Sequence, residues 1–255
     1  MDIAKCNAII TGGSSGLGLA TAEKIINAGG TVTILDIQEN IFKKNFKLYE
    51  KKCRFCSVDV TNQQSINEAI EIAIKNFGEI SLLVNCAGVG VAKKILGREE
   101  THSTDDFNTV IQINLVGTFN MIRSCSEKMQ NNQPNIDGSR GVIINTASIA
   151  AYDGQIGQAA YSASKAGIVG LTLPIARELS KFGIRVCTIA PGLFETPMMK
   201  GLPEKAINSL IESTLFPHRL GKPEEYAKLV LSVYENDMLN GETIRLDGSI
   251  RLTPR

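Results

Sequence analysis

Nowhere in its 255 residues does the chain carry an apolar run approaching the ~18 needed to cross a bilayer, so no membrane span is expected. Charge of either sign is not in excess: 27 Lys and Arg stand against 26 Asp and Glu, a formal net charge of +1. That balance gives no bulk reason to expect nucleic acid as the main partner. Histidine is scarce, and the two present, His102 and His218, have no companions at metal-ligand spacing, so both are read as surface or structural. Six cysteines include one C-x-x-C, Cys53 to Cys56, with no second pair beside it. On a strand the two would face opposite sides, so zinc and redox roles give way to buried thiols, free as in a reducing compartment. The opening "MDIAKCNAIITGG" enters a strand pattern within a few residues, leaving no room for a secretory or transit segment. No low-complexity tract or short repeat period appears. What remains, 43% hydrophobic and 21% charged, is the composition of a globular chain long enough to bury a core without staples.

The chain alternates short apolar runs with helical patterns. Strands are expected at 7–11, 31–35, 54–58, 80–85, 141–148, 183–191 and 241–248. Helices are expected at 16–28, 41–52, 65–78, 104–129 (with Thr104 and Asp105 as cap chemistry), 159–182, 203–215 and 223–236. The apolar runs are near-continuous, as in parallel strands buried on both faces. Repeated β-α units without a compositional break predict an α/β, doubly wound, mostly parallel seven-stranded sheet, one domain over 1–255. Loops at 88–103, 130–140 and 192–202 are the long connections.

"TGGSSGLG" sits where the first strand meets the first helix. Gly12, Gly16 and Gly18 let the backbone turn tightly and approach a pyrophosphate resting on a helix N-terminus. The spacing is not G-x-G-x-x-G, and a glycine cluster alone would be a weak signal; its position between strand and helix strengthens it. Asp36 ends the second strand, where a carboxylate can bond both hydroxyls of an adenosine ribose and repel a 2′-phosphate. No arginine in "SSGL" or "DIQEN" offsets that repulsion, so NAD is expected over NADP.

In "YSASK", Tyr161 and Lys165 stand four apart, one helical turn above each other. An adjacent cation favours the phenolate, and a bound oxidised nicotinamide adds a second positive charge. Moving a phenol from about 10 to about 7 takes roughly 4 kcal/mol, at ~1.36 per unit. Of five tyrosines only this one has its lysine. Ser148, read as ending the fifth strand, is placed to hold a substrate carbonyl at the carboxyl edge of the sheet; its bland alternative is a strand-end cap. Asn114, polar within an apolar helical stretch, is a candidate to bind a water relaying protons to the lysine, or a satisfied core amide.

Together "TGGSSGLG", "DV" at 59–60, "NCAG" at 85–88, Asn114, Ser148, "YSASK" and "PG" at 191–192 resemble the short-chain dehydrogenase/reductase family. The resemblance implies a Rossmann fold and an Asn114–Ser148–Tyr161–Lys165 tetrad. It also implies Asp59 and Val60 near the adenine, Cys86 and Gly88 lining the cofactor site, and Ser15 and Leu17 on the pyrophosphate through their backbone. The stretch from "GVIINTAS" to "FETPM" and the ending "LNGETIRLDGSIRL" are similar to the family's type-2 3-hydroxyacyl-CoA dehydrogenase branch, the 17β-hydroxysteroid dehydrogenases type 10.

That branch implies NAD-dependent interconversion of L-3-hydroxyacyl-CoA and 3-oxoacyl-CoA, with hydroxysteroids as further substrates, in a homotetramer. Phe194 and Thr196 carry over as contacts near the nicotinamide and Gln155 as a substrate contact, with a substrate loop and small helices at about 192–216. Lys93, Lys94 and Arg98 in the 92–103 loop are either an attraction for CoA phosphates or a solvated charged loop. A 3-oxoacyl-carrier-protein reductase or another secondary-alcohol or steroid dehydrogenase is the alternative within the class. A scaffold subunit of a mitochondrial tRNA-processing complex is the alternative outside it. The animal relatives imply a mitochondrial matrix location and the bacterial ones a cytoplasmic location.

Overall fold

A computed structural model describes residues 1–98, 100–200 and 210–254. Seven strands form one sheet in the order β3-β2-β1-β4-β5-β6-β7, and every pairing is parallel. They are β1 Asn7–Thr11, β2 Thr31–Asp36, β3 Cys53–Ser57, β4 Leu82–Asn85, β5 Gly141–Thr146, β6 Ile184–Pro191 and β7 Thr243–Leu246. Helices are α1 Gly16–Asn27, α2 Glu39–Asn45, α3 Gln63–Phe77, α4 Thr104–Ile111, α5 Gly117–Met129, α6 Ala159–Leu179, the short α7 Pro197–Lys200, and α8 Pro223–Glu235. Strand order reverses at β1, whose neighbours are β2 and β4. A crevice therefore opens beyond the carboxyl ends of these strands, where doubly wound sheets bind ligands.

Successive strand residues feed opposite faces, which is why the apolar runs are continuous. Ile10, Ile34, Val84 and Ile144 pack with α1 and α8 through Ile25, Tyr226 and Val230. Ile9, Leu35, Leu83 and Ile143 pack with α3 and α5 through Ile66, Ile70, Met121 and Cys125. Cys53 joins the first cluster and Cys56 the second, so the two thiols of C-x-x-C do face opposite sides. Among the described residues no helix is long and apolar enough to cross a membrane, and no group of three or more His, Cys, Asp or Glu could hold a metal ion.

Several elements differ from expectation for local reasons. The helix expected at 41–52 spans Glu39–Asn45, because Phe46 turns into the core and stacks on Phe42, ring centroids 5.0 Å apart. Ser103, not Thr104 or Asp105, caps α4, its hydroxyl accepting from the backbone of Asp105 and Asp106. The single helix expected over 104–129 is interrupted by a π-helical turn, Gln112–Val116, with Asn114 at its centre. Widened turns of this kind recur at functional sites. Strand β5 ends at Thr146, so Ser148 lies beyond it and caps the short 3-10 turn Ile149–Ala151. Of the helix expected at 203–215, residues 203–209 lie outside the described residues and 210–212 are helical.

The far end of the sheet is tied by a buried cation. Arg185 on β6 donates to the carbonyls of Val233, Tyr234 and Leu239 at 2.8–2.9 Å, at the C-terminal end of α8. A cation there answers the helix dipole. Asp237, 3.3 Å away, neutralises it.

Candidate active site

The glycine loop between β1 and α1 is built for close approach. Gly12 has φ +62°, and a Cβ on it would lie 2.8 Å from the backbone of Ala87; one on Gly18 would lie 2.5 Å from the Gly12 carbonyl. No larger residue fits either place without moving backbone. Ser15 precedes α1 without a side-chain cap, which leaves the first-turn N–H groups of the helix to an outside acceptor. The buried Ser14 hydroxyl has no partner. Beside the loop, Asp36 Oδ2 accepts from the Ser14 N–H and Oδ1 from the Gln38 N–H, both at 3.0 Å. The carboxylate is thereby fixed at the strand end with lone pairs to spare. Asn45 holds the other side of the Ser14 peptide, donating to its carbonyl at 3.0 Å. An anion-accepting helix start, a close-approach loop and an immobilised carboxylate suit a dinucleotide.

Asp59 bonds the backbone and hydroxyl of Thr61 at 2.9 and 2.8 Å, and with Thr61, Asp105 and Asn108 it lines a cleft of about 370 Å³. Val60 is buried against Gly117, where a Cβ would lie 2.5 Å from the valine. The Thr11 hydroxyl accepts from the N–H groups of both Cys86 and Ala87 at 3.1 Å, which pins the loop after β4 to the glycine loop.

The expected tetrad residues come together next to that loop. A Cβ on Gly88 would lie 3.2 Å from Asn114 Oδ1 and 3.6 Å from Lys165 Nζ, so these three meet at one point. The Asn114 amide is committed within the chain. It accepts from the Val89 N–H at 2.9 Å and donates to the Val89 carbonyl at 2.9 Å and to Ser164 Oγ at 3.0 Å. Its side chain thus clamps the β4 loop to α6, as the core-amide alternative requires, and Ser164 passes the link to the Tyr161 carbonyl at 2.7 Å. Ser148 Oγ accepts from the Ala150 N–H at 3.1 Å, and its hydroxyl stands close enough to the Tyr161 phenol to favour the phenolate.

Lys165 is buried. Its Nζ donates to the Thr146 carbonyl at 2.8 Å and lies 5.7 Å from the centroid of the Tyr161 ring. Burial pushes its ammonium down to about 8, with Cys86 pulling in the opposite direction. Burial also raises the Tyr161 phenol above its ordinary 10, and the nearby Ser148 hydroxyl only partly opposes it. In the chain alone, desolvation favours the neutral form of both groups.

Other expected residues are placed as follows. Thr196 and Pro197 cover the glycine loop, about 3.5 Å from where a Gly16 Cβ would stand. Phe194 is buried in the first core cluster, bridged to Gly221, and so anchors that loop. Leu17 packs against the same cluster. Gln155 turns to the C-terminal segment, donating to the Thr253 carbonyl at 3.1 Å. Lys93 is held by Asp106 at 2.6 Å and Glu100 at 3.7 Å, so its charge is already answered within the chain. Asn45, Thr146 and Tyr226 were not foreseen; their partners are distant in sequence, and only the position of Thr146 two residues before Ser148 gave any signal.

The short chain dehydrogenase family profile matches residues 6–207. The chain is 53% identical over 249 residues to the 3-hydroxyacyl-CoA dehydrogenase type-2 of Bos taurus, covering 97% of this chain and 95% of that one. It is 35% identical to a 3-oxoacyl-[acyl-carrier-protein] reductase of Thermotoga maritima, covering 95% and 96%. The crystal structure of 3-hydroxyacyl-CoA dehydrogenase type-2 from Mycobacterium avium superposes with a TM-score of 0.93 at 40% identity, covering 97% of this chain and 96% of that one. The chain belongs to the short-chain dehydrogenase family.

Proposed function

We propose that this short-chain dehydrogenase interconverts L-3-hydroxyacyl-CoA and 3-oxoacyl-CoA with NAD as its cofactor. The observation that carries the reading is the meeting of Ser148, Tyr161 and Lys165 beside a dinucleotide cradle, in a chain 53% identical to a 3-hydroxyacyl-CoA dehydrogenase type-2. The family uses a nicotinamide cofactor; the choice of NAD rests on Asp36 at the end of β2.

Gly12, Ser15, Gly16, Leu17 and Gly18 hold the pyrophosphate, and Asp36 the adenosine ribose. Asp59 and Val60 would flank the adenine, Cys86 and Gly88 would line the cofactor site, and Phe194 and Thr196 would lie near the nicotinamide. When bound, that group supplies the hydride acceptor and a positive charge. Ser148 and Tyr161 hydrogen-bond the substrate oxygen. The Tyr161 oxygen takes the hydroxyl proton when 3-hydroxyacyl-CoA is oxidised and returns it in the reverse direction. Lys165 keeps its ammonium beside Tyr161 and on the nicotinamide ribose. Asn114 holds the Val89 backbone and, through Ser164, the Tyr161 carbonyl, so the acid–base group and the cofactor wall keep a fixed separation. Gln155, which donates to the Thr253 carbonyl, is proposed as a contact of the acyl substrate.

The same proposal takes 1–255 as one NAD-binding domain with its substrate loop at about 192–216. It takes the enzyme as a homotetramer of the mitochondrial matrix, like the animal relatives. Purified protein should oxidise NADH with acetoacetyl-CoA and turn over little with NADPH. Binding of NADH without reduction of acetoacetyl-CoA would refute the substrate and leave the cofactor assignment standing.

A further inference from the structure

Behind Lys165 lies a group of polar side chains to which the reaction above assigns no step. The Tyr226 hydroxyl, carried on α8 and fully buried, lies 2.7 Å from Thr146 Oγ1. Thr146 Oγ1 in turn points its hydrogen at Cys86 Sγ, 3.5 Å away, and Cys86 Sγ is 3.7 Å from the Tyr226 hydroxyl. Three groups from α8, β5 and the loop after β4 thus close a small triangle in the core. Thr146 also offers its carbonyl to Lys165 Nζ at 2.8 Å. That carbonyl is free for the lysine because β4 stops at Asn85, paired with Asn145, one residue short of Thr146. Thr146 is therefore gripped twice, by Tyr226 through its side chain and by Lys165 through its main chain.

We propose that Tyr226 is a positioning residue for the reaction, acting through Thr146 to hold the carbonyl that faces Lys165. Three features of the site support this. A phenol with no exposure costs stability unless it is bonded, so its hydroxyl is committed to Thr146. Tyr226 thereby holds Thr146 by its side chain while the Thr146 carbonyl accepts from Lys165 Nζ, so any shift of Thr146 moves an acceptor of the ammonium. Burial raises the Cys86 thiol, so the sulfur keeps its proton and serves as a neutral acceptor that helps to fix the Thr146 hydroxyl. The titratable groups facing the ammonium are Tyr161 on its own helix, Cys86 on the β4 loop and, one bond behind, Tyr226 on α8. No carboxylate neutralises Lys165: its shift has burial and Cys86 as its causes. With so few partners, the loss of one hydroxyl behind it is felt.

This inference rests on the reading of Lys165 as the group that supports Tyr161, and the experiment separates the two. Tyr226→Phe removes one oxygen and no volume, and Thr146→Val removes the middle hydroxyl while keeping the carbonyl. In protein labelled with carbon-13 at the lysine ε position, the Lys165 signal is assigned by its loss in Lys165→Met, and its titration needs no substrate. The unsubstituted protein should titrate near 8. In both hydroxyl variants the midpoint should fall by roughly half a unit or more, as the charged form loses support.

With acetoacetyl-CoA and its hydroxy product, the acid limb of kcat for oxidation should then move to higher pH by a similar amount, as tyrosinate becomes harder to form. An unmoved lysine midpoint in folded Tyr226→Phe and Thr146→Val overturns the positioning role. A moved midpoint with an unmoved kcat limb overturns the link to catalysis. If the unsubstituted enzyme does not turn over acyl-CoA, the substrate reading fails, while the lysine titration still decides the role of Tyr226. Should Tyr226→Phe fail to fold, Thr146→Val carries the test.

Discussion

The two halves of the carboxyl edge are held in opposite ways. Around β1 and β2 the site is made of backbone and one carboxylate. Glycine loop, helix start and Asp36 are already bonded to one another, and their geometry owes little to any ligand. Around β5 and α6 the site is made of buried titratable side chains. There the same burial that fixes their positions drives Lys165 down to about 8 and Tyr161 upward, both toward neutrality. The first half is bonded together as folded; in the second, burial loosens the hold of Lys165 on its proton and disfavours the tyrosinate. On the proposed function, binding in the first half would bring a positive nicotinamide beside Tyr161 and Lys165, and cofactor should add before substrate.

The strongest way to break the comparison is to remove the charge that the second half does own. Lys165→Met should lower kcat by about a thousandfold, within the range of lost acid–base catalysis. It should also weaken NADH binding, since the lysine serves both halves; initial rates and fluorescence titration of NADH read the two effects.

Next in size is a stability effect of the chain without cofactor. An unfolded lysine keeps its proton to about 10.5, whereas folded Lys165 loses it near 8. Between those values the unfolded state binds more protons, so this group makes folding more favourable as pH rises. Its share is about 3 kcal/mol at ~1.36 per unit. The buried thiols work the other way above pH 9, Cys6, Cys53 and Cys125 being pushed up to about 12. Urea unfolding of the unsubstituted protein and of Lys165→Met, which share those thiols, isolates the lysine. Any advantage of the methionine variant near pH 7 should shrink by that amount toward pH 10.5.

Smaller again is a change confined to the first half. Asp36→Ala leaves the Ser14 and Gln38 N–H groups without their acceptor and removes the ribose contact. It should raise KM for NADH by about 10- to 100-fold, the worth of hydrogen bonds to a charged group. The preference for NADH over NADPH should narrow as repulsion of a 2′-phosphate disappears, while kcat at saturating NADH stays within a few-fold.

The same division governs how far the sequence could be read. The cradle was readable because its parts are local: glycines between a strand and a helix, an acid at the end of the next strand. The parallel sheet was readable because residues such as Ile9 and Ile10 feed two cores and leave an unbroken apolar run. Tyr161 and Lys165 announced themselves by helical spacing. The π-turn at Asn114 did not, since one extra residue in a turn barely disturbs an apolar pattern. Nor did Ser148 reveal that it lies past the strand, because "GVIINTAS" stays strand-like to its end. Tyr226 and Thr146 are eighty positions apart, and no spacing rule joins them. The burial that raises the Tyr161 phenol in the chain alone was hidden for a related reason. A neighbouring lysine is visible in sequence, and the burial that outweighs it belongs to the folded chain.

The separation of the two halves is tested most directly by Tyr161→Phe, measured for NADH affinity and for reduction of acetoacetyl-CoA in the same preparation. The account predicts an NADH dissociation constant within about threefold of the unsubstituted protein, under 1 kcal/mol. It predicts turnover reduced at least a hundredfold, the lower bound for a lost proton donor. A variant that keeps a tenth or more of its turnover, or one that no longer binds NADH, would contradict it.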